Sequence, residues 1–189
     1  MSEEKKGRVI VTFARGWQTL VVVRSLGRRG VEVITGDQYA MTPASLSKYS
    51  AASFRYPDPS KEPEAFLDAL EEVVLTNKPD DGQPYVLMPI HKESYLIAEN
   101  RERFEPHIQL ALPGIDQILQ VHNKGTLAAY AEERGLPIPK TWLPGTADEF
   151  RALLEEMEVP AFLKIRESAS GVGIQKVDTR EELERVFFE

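Results

Sequence analysis

The sequence of 189 residues contains no cysteine, which excludes disulfides, thiolate metal sites and cysteine nucleophiles. No apolar run approaches the roughly 20 residues that a membrane-spanning helix needs, and the polar start MSEEKKG lacks the apolar core of a signal peptide. Basic residues are fewer than acidic ones, and the formal net charge is −7. A negative net charge opposes non-specific binding to nucleic acid. We therefore expect a cytoplasmic protein without a membrane or nucleic-acid partner.

Several familiar catalytic motifs are missing too. The three histidines, at 91, 107 and 122, lack metal-ligand spacing and are expected on the surface. The sequence has neither the Gly-x-Ser-x-Gly elbow of hydrolases nor the Gly-Lys-Ser/Thr end of a Walker phosphate loop. What it does have is 42% hydrophobic residues, enough for a packed core.

Strands and helices alternate through the first part of the chain. A β-branched run, Arg8–Phe13, precedes helix-forming residues that stop at Gly30, and Val31–Thr35 is a second strand. Further strands are predicted at 53–56, 85–90 and 108–112, with helices from residue 64 and over 93–104. This order predicts an α/β domain with a parallel, Rossmann-like sheet over residues 1–113.

The pattern changes after residue 113. A helix is predicted from Lys124, and a stiff extended connector follows it to Pro139. Capping-box spacings at Thr146–Glu149 and Thr179–Glu182 open two more helices, which flank strands at 161–166 and 174–177. We therefore expect a helical linker over 114–139 and an α+β unit over 140–189.

The segment around Lys164 carries the most chemical information. Lys164 lies within an apolar strand, where an ammonium is costly to bury unless an anion receives it. A loop of small residues follows, and its glycines allow backbone N–H groups to approach an anion. The candidate loop residues are Ser168, Ser170, Gly171, Val172 and Gly173. Strand lysine and loop together predict a phosphate clamp, although a hairpin with a solvent-facing lysine would have the same sequence pattern.

The order of these motifs resembles the ATP-grasp superfamily. Asn123-Lys124 opens a helix, the Gly135–Pro139 connector follows, and then come Lys164 and the glycine loop. The first 113 residues are similar to the domain that precedes ATP-grasp in carbamoyl-phosphate-synthase-like and carboxylate–amine ligases. The resemblance implies that Lys124 and Lys164 contact ATP phosphates and that the loop folds over the β- and γ-phosphates. It also implies that residues 161–163 line the adenine side.

The same resemblance suggests two residues that face a substrate. The family has a Pro-x-x-Glu-Glu region, and here Pro89-Ile-His-Lys-Glu93-Ser94 retains one acid of the pair, Glu93. Arg15, at the mouth of the first strand, is the second candidate. A favourable interaction with the helix dipole would by itself also explain an acid at this helix start.

In the family, magnesium ligands lie on a later subdomain, so we expect them outside this chain. The resemblance thus implies the N-terminal portion of an ATP- and Mg²⁺-dependent ligase that joins a carboxylate to an amine through an acyl phosphate. Such a portion, ending in an incomplete ATP-grasp lid subdomain, is expected to be inactive alone. Its open apolar edges predict self-association, unless a missing C-terminal half covers them.

Two other functions stay open at this point. A Rossmann-type NAD(P)-binding oxidoreductase would use Asp37 as its ribose-binding acid, although only Gly16 stands where its fingerprint has three glycines. A non-catalytic nucleotide- or partner-binding module could keep the same fold without turnover.

Overall fold

A computed structural model describes residues 6–79, 82–168 and 171–189, and the chain divides into two units after Ile115. In the first unit the strands are β1 (Arg8–Val11), β2 (Glu32–Asp37), β3 (Ser50–Arg55), β4 (Tyr85–Met88) and β5 (Gln109–Leu110). Its helices are α1 (Trp17–Gly27), α2 (Pro63–Thr76) and α3 (Glu93–Glu99), and a 3-10 turn covers Arg101–Arg103. None of the described helices is both long and apolar enough to span a membrane.

The five strands form one parallel sheet in the order β3-β2-β1-β4-β5. β1 is central, and its Ile10 is in register with Ile34 of β2 and Leu87 of β4. Because the strands are parallel, their carboxyl ends meet at one edge of the sheet, and the chain order reverses direction beside β1.

Both faces of this sheet are covered, as parallel sheets require. Alternation along β1 directs Ile10 to one face and Val9 and Val11 to the other. The Ile10 face packs against apolar residues of α2 and α3, namely Phe66, Leu67, Leu70, Val74 and Ile97. The opposite face packs against Leu20 and Val23 of α1.

Several predicted element ends differ from the observed ones. The helix predicted over 93–104 ends at Glu99, because the Asn100 side chain donates to the Leu96 carbonyl and its backbone leaves the helical region. α1 ends at Gly27, and Gly30, predicted as its cap, has a φ of 82° and donates its N–H to the Gly27 carbonyl. The strand predicted at 53–56 starts earlier, at Ser50.

The second unit contains helices and one antiparallel hairpin. The helices are α4 (Ile115–His122), α5 (Lys124–Glu133), α6 (Ala147–Leu153) and α7 (Arg180–Phe188), and β6 (Ala161–Lys164) pairs with β7 (Ile174–Val177). α4 was not predicted. The core of the second unit contains Phe150, Met157, Val177 and Leu183. The predicted α/β class, with a parallel sheet followed by a smaller α+β unit, is confirmed. The finer division at residues 113 and 139 stays a prediction.

Both predicted capping boxes form. The Thr146 hydroxyl accepts the Glu149 N–H at 3.1 Å, and the Thr179 hydroxyl accepts the Glu182 N–H at 3.2 Å. In each case the glutamate carboxylate reaches back to an N–H just before the helix, that of Gly145 in the first case. The two caps set the starts of α6 and α7 from local sequence alone.

The α2 helix offers a matched test of the core. Leu67→Ala removes a fully buried side chain and is expected to lower the free energy of unfolding by about 2–5 kcal/mol. Leu75→Ala makes the same change on the same helix, where half of the side chain is exposed. We expect a loss below about 1 kcal/mol there, measured by urea denaturation. Equal losses in the two variants would contradict the placement of Leu67 on the buried face of α2 and of Leu75 on its exposed face.

Candidate functional site

The start of α5 is tied to the segment that follows β6. The Asn123 carboxamide oxygen caps the helix by accepting the N–H groups of Gly125 at 2.9 Å and Thr126 at 3.2 Å. Its amide nitrogen donates to the Glu167 carboxylate at 3.1 Å. One side chain therefore caps α5 and holds the segment leading into the glycine loop.

Lys124 reinforces the same connection. Its backbone N–H donates to the Arg166 carbonyl at 2.9 Å. Its half-buried ammonium donates to the Ser168 carbonyl at 3.0 Å and the Ser168 hydroxyl at 2.7 Å. The structure thus brings two predicted site residues into direct contact, although they are 44 positions apart. An ammonium has three donors, so Lys124 keeps capacity for an anion.

Lys164 corrects one premise of the sequence analysis. Its side chain is exposed and not buried, and it shares a face of β6 with Phe162, which is 63% exposed. Residues 161 and 163 instead pack on the core of this unit, so of the predicted adenine wall Phe162 alone is on the open face. Within the part of the chain that the structure describes, the Lys164 ammonium makes no hydrogen bond or ion pair. This matches the hairpin with a solvent-facing lysine, and it also leaves the charge available to a ligand.

The loop after β6 needs its glycines for conformation. Gly171 and Gly173 have φ values of 80° and 66°, which L side chains rarely adopt. A Cβ on Gly173 would also meet the Ile165 side chain at 2.4 Å. Val172 between them is 66% exposed. Ser170, also a predicted site residue, lies outside the described residues.

Arg166 is a residue of this site that the sequence analysis did not single out. Its guanidinium donates to the Pro144 carbonyl at 3.0 Å and lies against Gly125, where an added Cβ would be 3.3 Å from a guanidinium nitrogen. No local pattern marks this role, because its partners are 22 and 41 positions away in sequence. Among the described residues, no group of three His, Asp or Glu side chains could hold a metal ion.

A second polar cluster lies at the carboxyl edge of the parallel sheet, in the first unit. Asp37, at the end of β2, is 1% exposed. Its carboxylate accepts the Arg15 N–H at 2.8 Å, the Arg15 guanidinium at 2.9 Å and the Tyr39 N–H at 3.1 Å. The buried charge is therefore both paired and hydrogen-bonded. In an NAD(P)-binding oxidoreductase Asp37 would bind the ribose, but here both of its carboxylate oxygens already accept hydrogen bonds from Arg15 and Tyr39.

Glu93, the other predicted substrate residue, is also 1% exposed at this edge. It accepts a hydrogen bond of 2.8 Å from the Tyr56 hydroxyl, which in turn accepts the Phe13 N–H at 3.0 Å. Burial, and then the charge of Glu93, raise the pKa of Tyr56 well above its usual range. Tyr56 therefore stays protonated and links the segments that follow β1 and β3 to the start of α3.

Two non-glycine residues at this edge have left-handed backbones. Phe13 has a φ of 56° and His91 a φ of 67°. Their rings stack at 4.3 Å with an interplanar angle of 8°. His91 is exposed, as expected, but it is part of this edge. The Thr12 hydroxyl, which accepts the Ile90 N–H at 3.0 Å, joins the same two chain segments. Such backbone strain persists only where the surroundings maintain it.

Comparisons with known proteins give a consistent result. No protein-family model matches the chain. It is 26% identical over 167 residues to a formate-dependent phosphoribosylglycinamide formyltransferase of Marinobacter nauticus, covering 88% of this chain and 39% of that protein. It is 26% identical over 129 residues to a urea amidolyase of Lachancea kluyveri, covering 66% of this chain and 7% of that protein.

Solved structures share the fold. Carboxyaminoimidazole ribonucleotide synthase of Aspergillus clavatus, solved with ATP, has a TM-score of 0.67 and 19% identity, over 97% of this chain and 44% of that one. Biotin carboxylase of Campylobacter jejuni has a TM-score of 0.65 and 22% identity, over 98% and 41%. This chain spans less than half the length of each of these four proteins.

The Tyr56 hydroxyl can be tested by removing it. Tyr56→Phe leaves buried Glu93 and the Phe13 N–H without their partner, so we expect a loss of about 1–3 kcal/mol in the free energy of unfolding at neutral pH. The control is Tyr39→Phe, because the Tyr39 side chain is 61% exposed and its hydroxyl makes none of the bonds described above. Urea denaturation measures both.

The same variant has a predicted pH signature. The folded protein keeps the Tyr56 proton above pH about 10, where an unfolded tyrosine loses it. Wild-type stability should therefore be fully present below that pH and fall above it, by about 1.4 kcal/mol per pH unit for this group. Burial raises the pKa of Tyr85 to about 12. Tyr85 therefore also contributes a loss of stability at alkaline pH, and it does so in both wild type and Tyr56→Phe. Equal alkaline slopes for wild type and Tyr56→Phe would contradict the prediction.

Proposed function

We propose that this chain, which has the fold of the N-terminal part of the ATP-grasp enzymes, is the front portion of an ATP-dependent ligase. Its reaction would activate a carboxylate as an acyl phosphate, which an amine or similar nucleophile then attacks. ATP and Mg²⁺, when bound, would supply the phosphoryl group and its charge neutralisation. The closer likeness to carbamoyl-phosphate-synthase-like ligases stays a prediction.

The observation that carries this proposal is the contact between Lys124 and Ser168. It joins the start of α5 to the Ser168 end of the glycine loop, and Gly171 and Gly173 of that loop have left-handed backbones that side chains rarely adopt. Lys164, on the strand leading into this loop, adds a second ammonium that is free among the described residues. We infer that these groups bind the phosphates of ATP, because paired cations and directed N–H groups are what a polyphosphate requires.

In this proposal Lys124 has two roles. In the structure its hydrogen bonds hold the Ser168 end of the loop, and with ATP bound its third donor would reach a phosphate oxygen. Lys164 contributes charge alone, since no described residue fixes its position. Phe162, exposed on the same face, is available to the adenine ring. We expect the Mg²⁺ ligands outside this chain.

The substrate would bind at the carboxyl edge of the sheet, where Arg15 and Glu93 were predicted. Open parallel sheets bind ligands at this edge, beside the reversal in strand order. Glu93 is buried and bonded to Tyr56, so in this proposal it acts mainly by holding that edge in place. Arg15 is better placed for direct contact, because its side chain is 31% exposed.

Mg-ATP binding tests the proposal. We expect Lys164→Gln and Lys124→Gln each to weaken Mg-ATP binding to the chain by about tenfold or more, since each loses a charge-assisted phosphate contact. Lys176→Gln is the matched control: it lies on the paired strand β7, and its ammonium is already paired with Asp178. Isothermal titration calorimetry of the full chain measures all three variants.

The alternatives predict different titrations. An NAD(P)-binding oxidoreductase would bind NADH and not Mg-ATP. A partner-binding module would keep its binding when Lys164 is replaced. Heat from NADH alone, or Mg-ATP affinity unchanged in both lysine variants, would count against the ligase proposal.

Self-association is a further expectation of this proposal. Four large apolar side chains on the β6–β7 hairpin and its loop are exposed by 40–66%: Phe162, Ile165, Val172 and Ile174. We expect the chain to form dimers or larger species in light-scattering measurements, and Phe162→Ser to shift it towards monomer. Val21→Ser, an equally exposed apolar site on α1, is the control. A monomeric wild type at high concentration would contradict this expectation.

A further inference from the structure

The Arg15 guanidinium lies over two aromatic rings at the edge of the parallel sheet. The carbon at the centre of its guanidinium lies 4.7 Å from the centroid of the Phe13 ring and 5.2 Å from that of Tyr39. A guanidinium is planar and its N–H groups point outward in that plane, so contacts with ring faces leave its donors free. The two rings thus restrict where the charge lies without satisfying its hydrogen bonds.

The Asp37 contact uses only part of the guanidinium. Nη1 of Arg15 donates to Oδ1 of Asp37 at 2.9 Å, and the other carboxylate oxygen is taken by the Arg15 backbone N–H. The pair is therefore not a bidentate fork. Within the described ranges, Nε and Nη2 of Arg15 have no hydrogen-bond acceptor. A residue that served only to neutralise Asp37 would not need both rings and a partly exposed fork.

The surroundings keep the Phe13 ring in place at a conformational cost. Its left-handed backbone is disfavoured by roughly 1–2 kcal/mol. The Thr19 hydroxyl donates to the Phe13 carbonyl at 2.6 Å, and the Tyr56 hydroxyl accepts its N–H. Gly16 leaves room for the ring, because a Cβ there would lie 2.5 Å from it. Two hydrogen bonds to the Phe13 backbone and the space left at Gly16 therefore position the ring over which Arg15 lies.

A small cleft of about 230 Å³ adjoins this arrangement. Asp37 and Tyr39 line it, together with Arg55. The rest of its polar lining consists of hydroxyl groups, from Thr35, Thr42, Ser45 and Ser53. The Thr42 and Ser45 hydroxyls bond within their own turn, and the Thr35 hydroxyl bonds to Ser50. The guanidinium groups of Arg55 and of neighbouring Arg15 are therefore the donors that favour a small anionic ligand over an apolar one.

We propose that Arg15 binds an oxyanion, a carboxylate or a phosphate group, of the ligand taken up at this edge. The free Nε–Nη2 side of the guanidinium offers two parallel donors that match two oxygens of such a group. Asp37, Phe13 and Tyr39 act as positioning residues. That this ligand is the ligase substrate rests on the proposed function, and it would make that substrate an acid with an anionic group recognised by Arg15.

Nitrogen-edited NMR spectra of the full chain test the proposal directly. Sodium acetate and sodium phosphate are titrated separately at constant ionic strength, with sodium chloride as the balancing salt. We expect the Arg15 Nε–H signal and the Tyr39 amide to shift saturably with the preferred anion. Acetate saturating at lower concentration identifies a carboxylate site, and phosphate a phosphate site.

Variants separate a built site from general charge. In Arg15→Lys the charge remains but the fork is lost, so the dissociation constant read at the Tyr39 amide should rise about tenfold. Tyr39→Leu keeps Arg15 but removes one ring, and should weaken binding about threefold. Arg24→Lys, an exposed arginine on α1, should change nothing. Linear shifts, or shifts unchanged in Arg15→Lys, overturn the proposal.

This result and the ATP titration fail independently. Anion binding at Arg15 without Mg-ATP binding would remove the ligase proposal and leave the anion site in place. Mg-ATP binding with no saturable shift at Arg15 would remove the anion site alone.

Discussion

The parallel pairing of β1 to β5 is the constraint on which the arrangement of the first unit depends. It brings the carboxyl ends of the strands to one edge, where residues far apart in sequence meet. The two acids collected there are buried, and their burial is tolerable only because neighbouring groups donate hydrogen bonds to them. Asp37 is held by Arg15, and Glu93 by Tyr56. The sheet therefore brings these groups together, and their hydrogen bonds to one another allow the acids to be buried there.

The second unit differs, because its hairpin carries a large exposed face. Its hairpin has two strands only, and one face of it carries exposed Phe162 and Lys164. Lys124 at the start of α5 holds Ser168, and Asn123 beside it holds Glu167. Among the described residues the Lys164 ammonium has no hydrogen bond or ion pair. The polar groups of the sheet edge are thus largely bonded to one another, whereas the described part of the hairpin face leaves this charge unpaired.

Much of the architecture could be predicted from local patterns. Short apolar or β-branched runs and turn signals predicted every strand of the parallel sheet, and two threonine–glutamate spacings predicted the starts of α6 and α7. The predicted end of α3 was wrong because a single side chain decided it: Asn100 bonds to the Leu96 carbonyl. Periodicity cannot reveal this effect, since it describes averages over a segment. For Lys164 the sequence left two orientations open, and the structure has the outward one.

The sequence by itself determined the element order except for α4, the α/β class and the resemblance to ATP-grasp enzymes, because these depend on periodicity, capping residues and motif spacing along the chain. Only the tertiary structure decided that Lys124 meets Ser168, that Tyr56 joins Glu93 to Phe13, and that Arg15 lies over two rings. Each of these contacts joins separate elements or loops. Such contacts form only when packing of the whole unit brings the elements together, and no local pattern encodes that meeting.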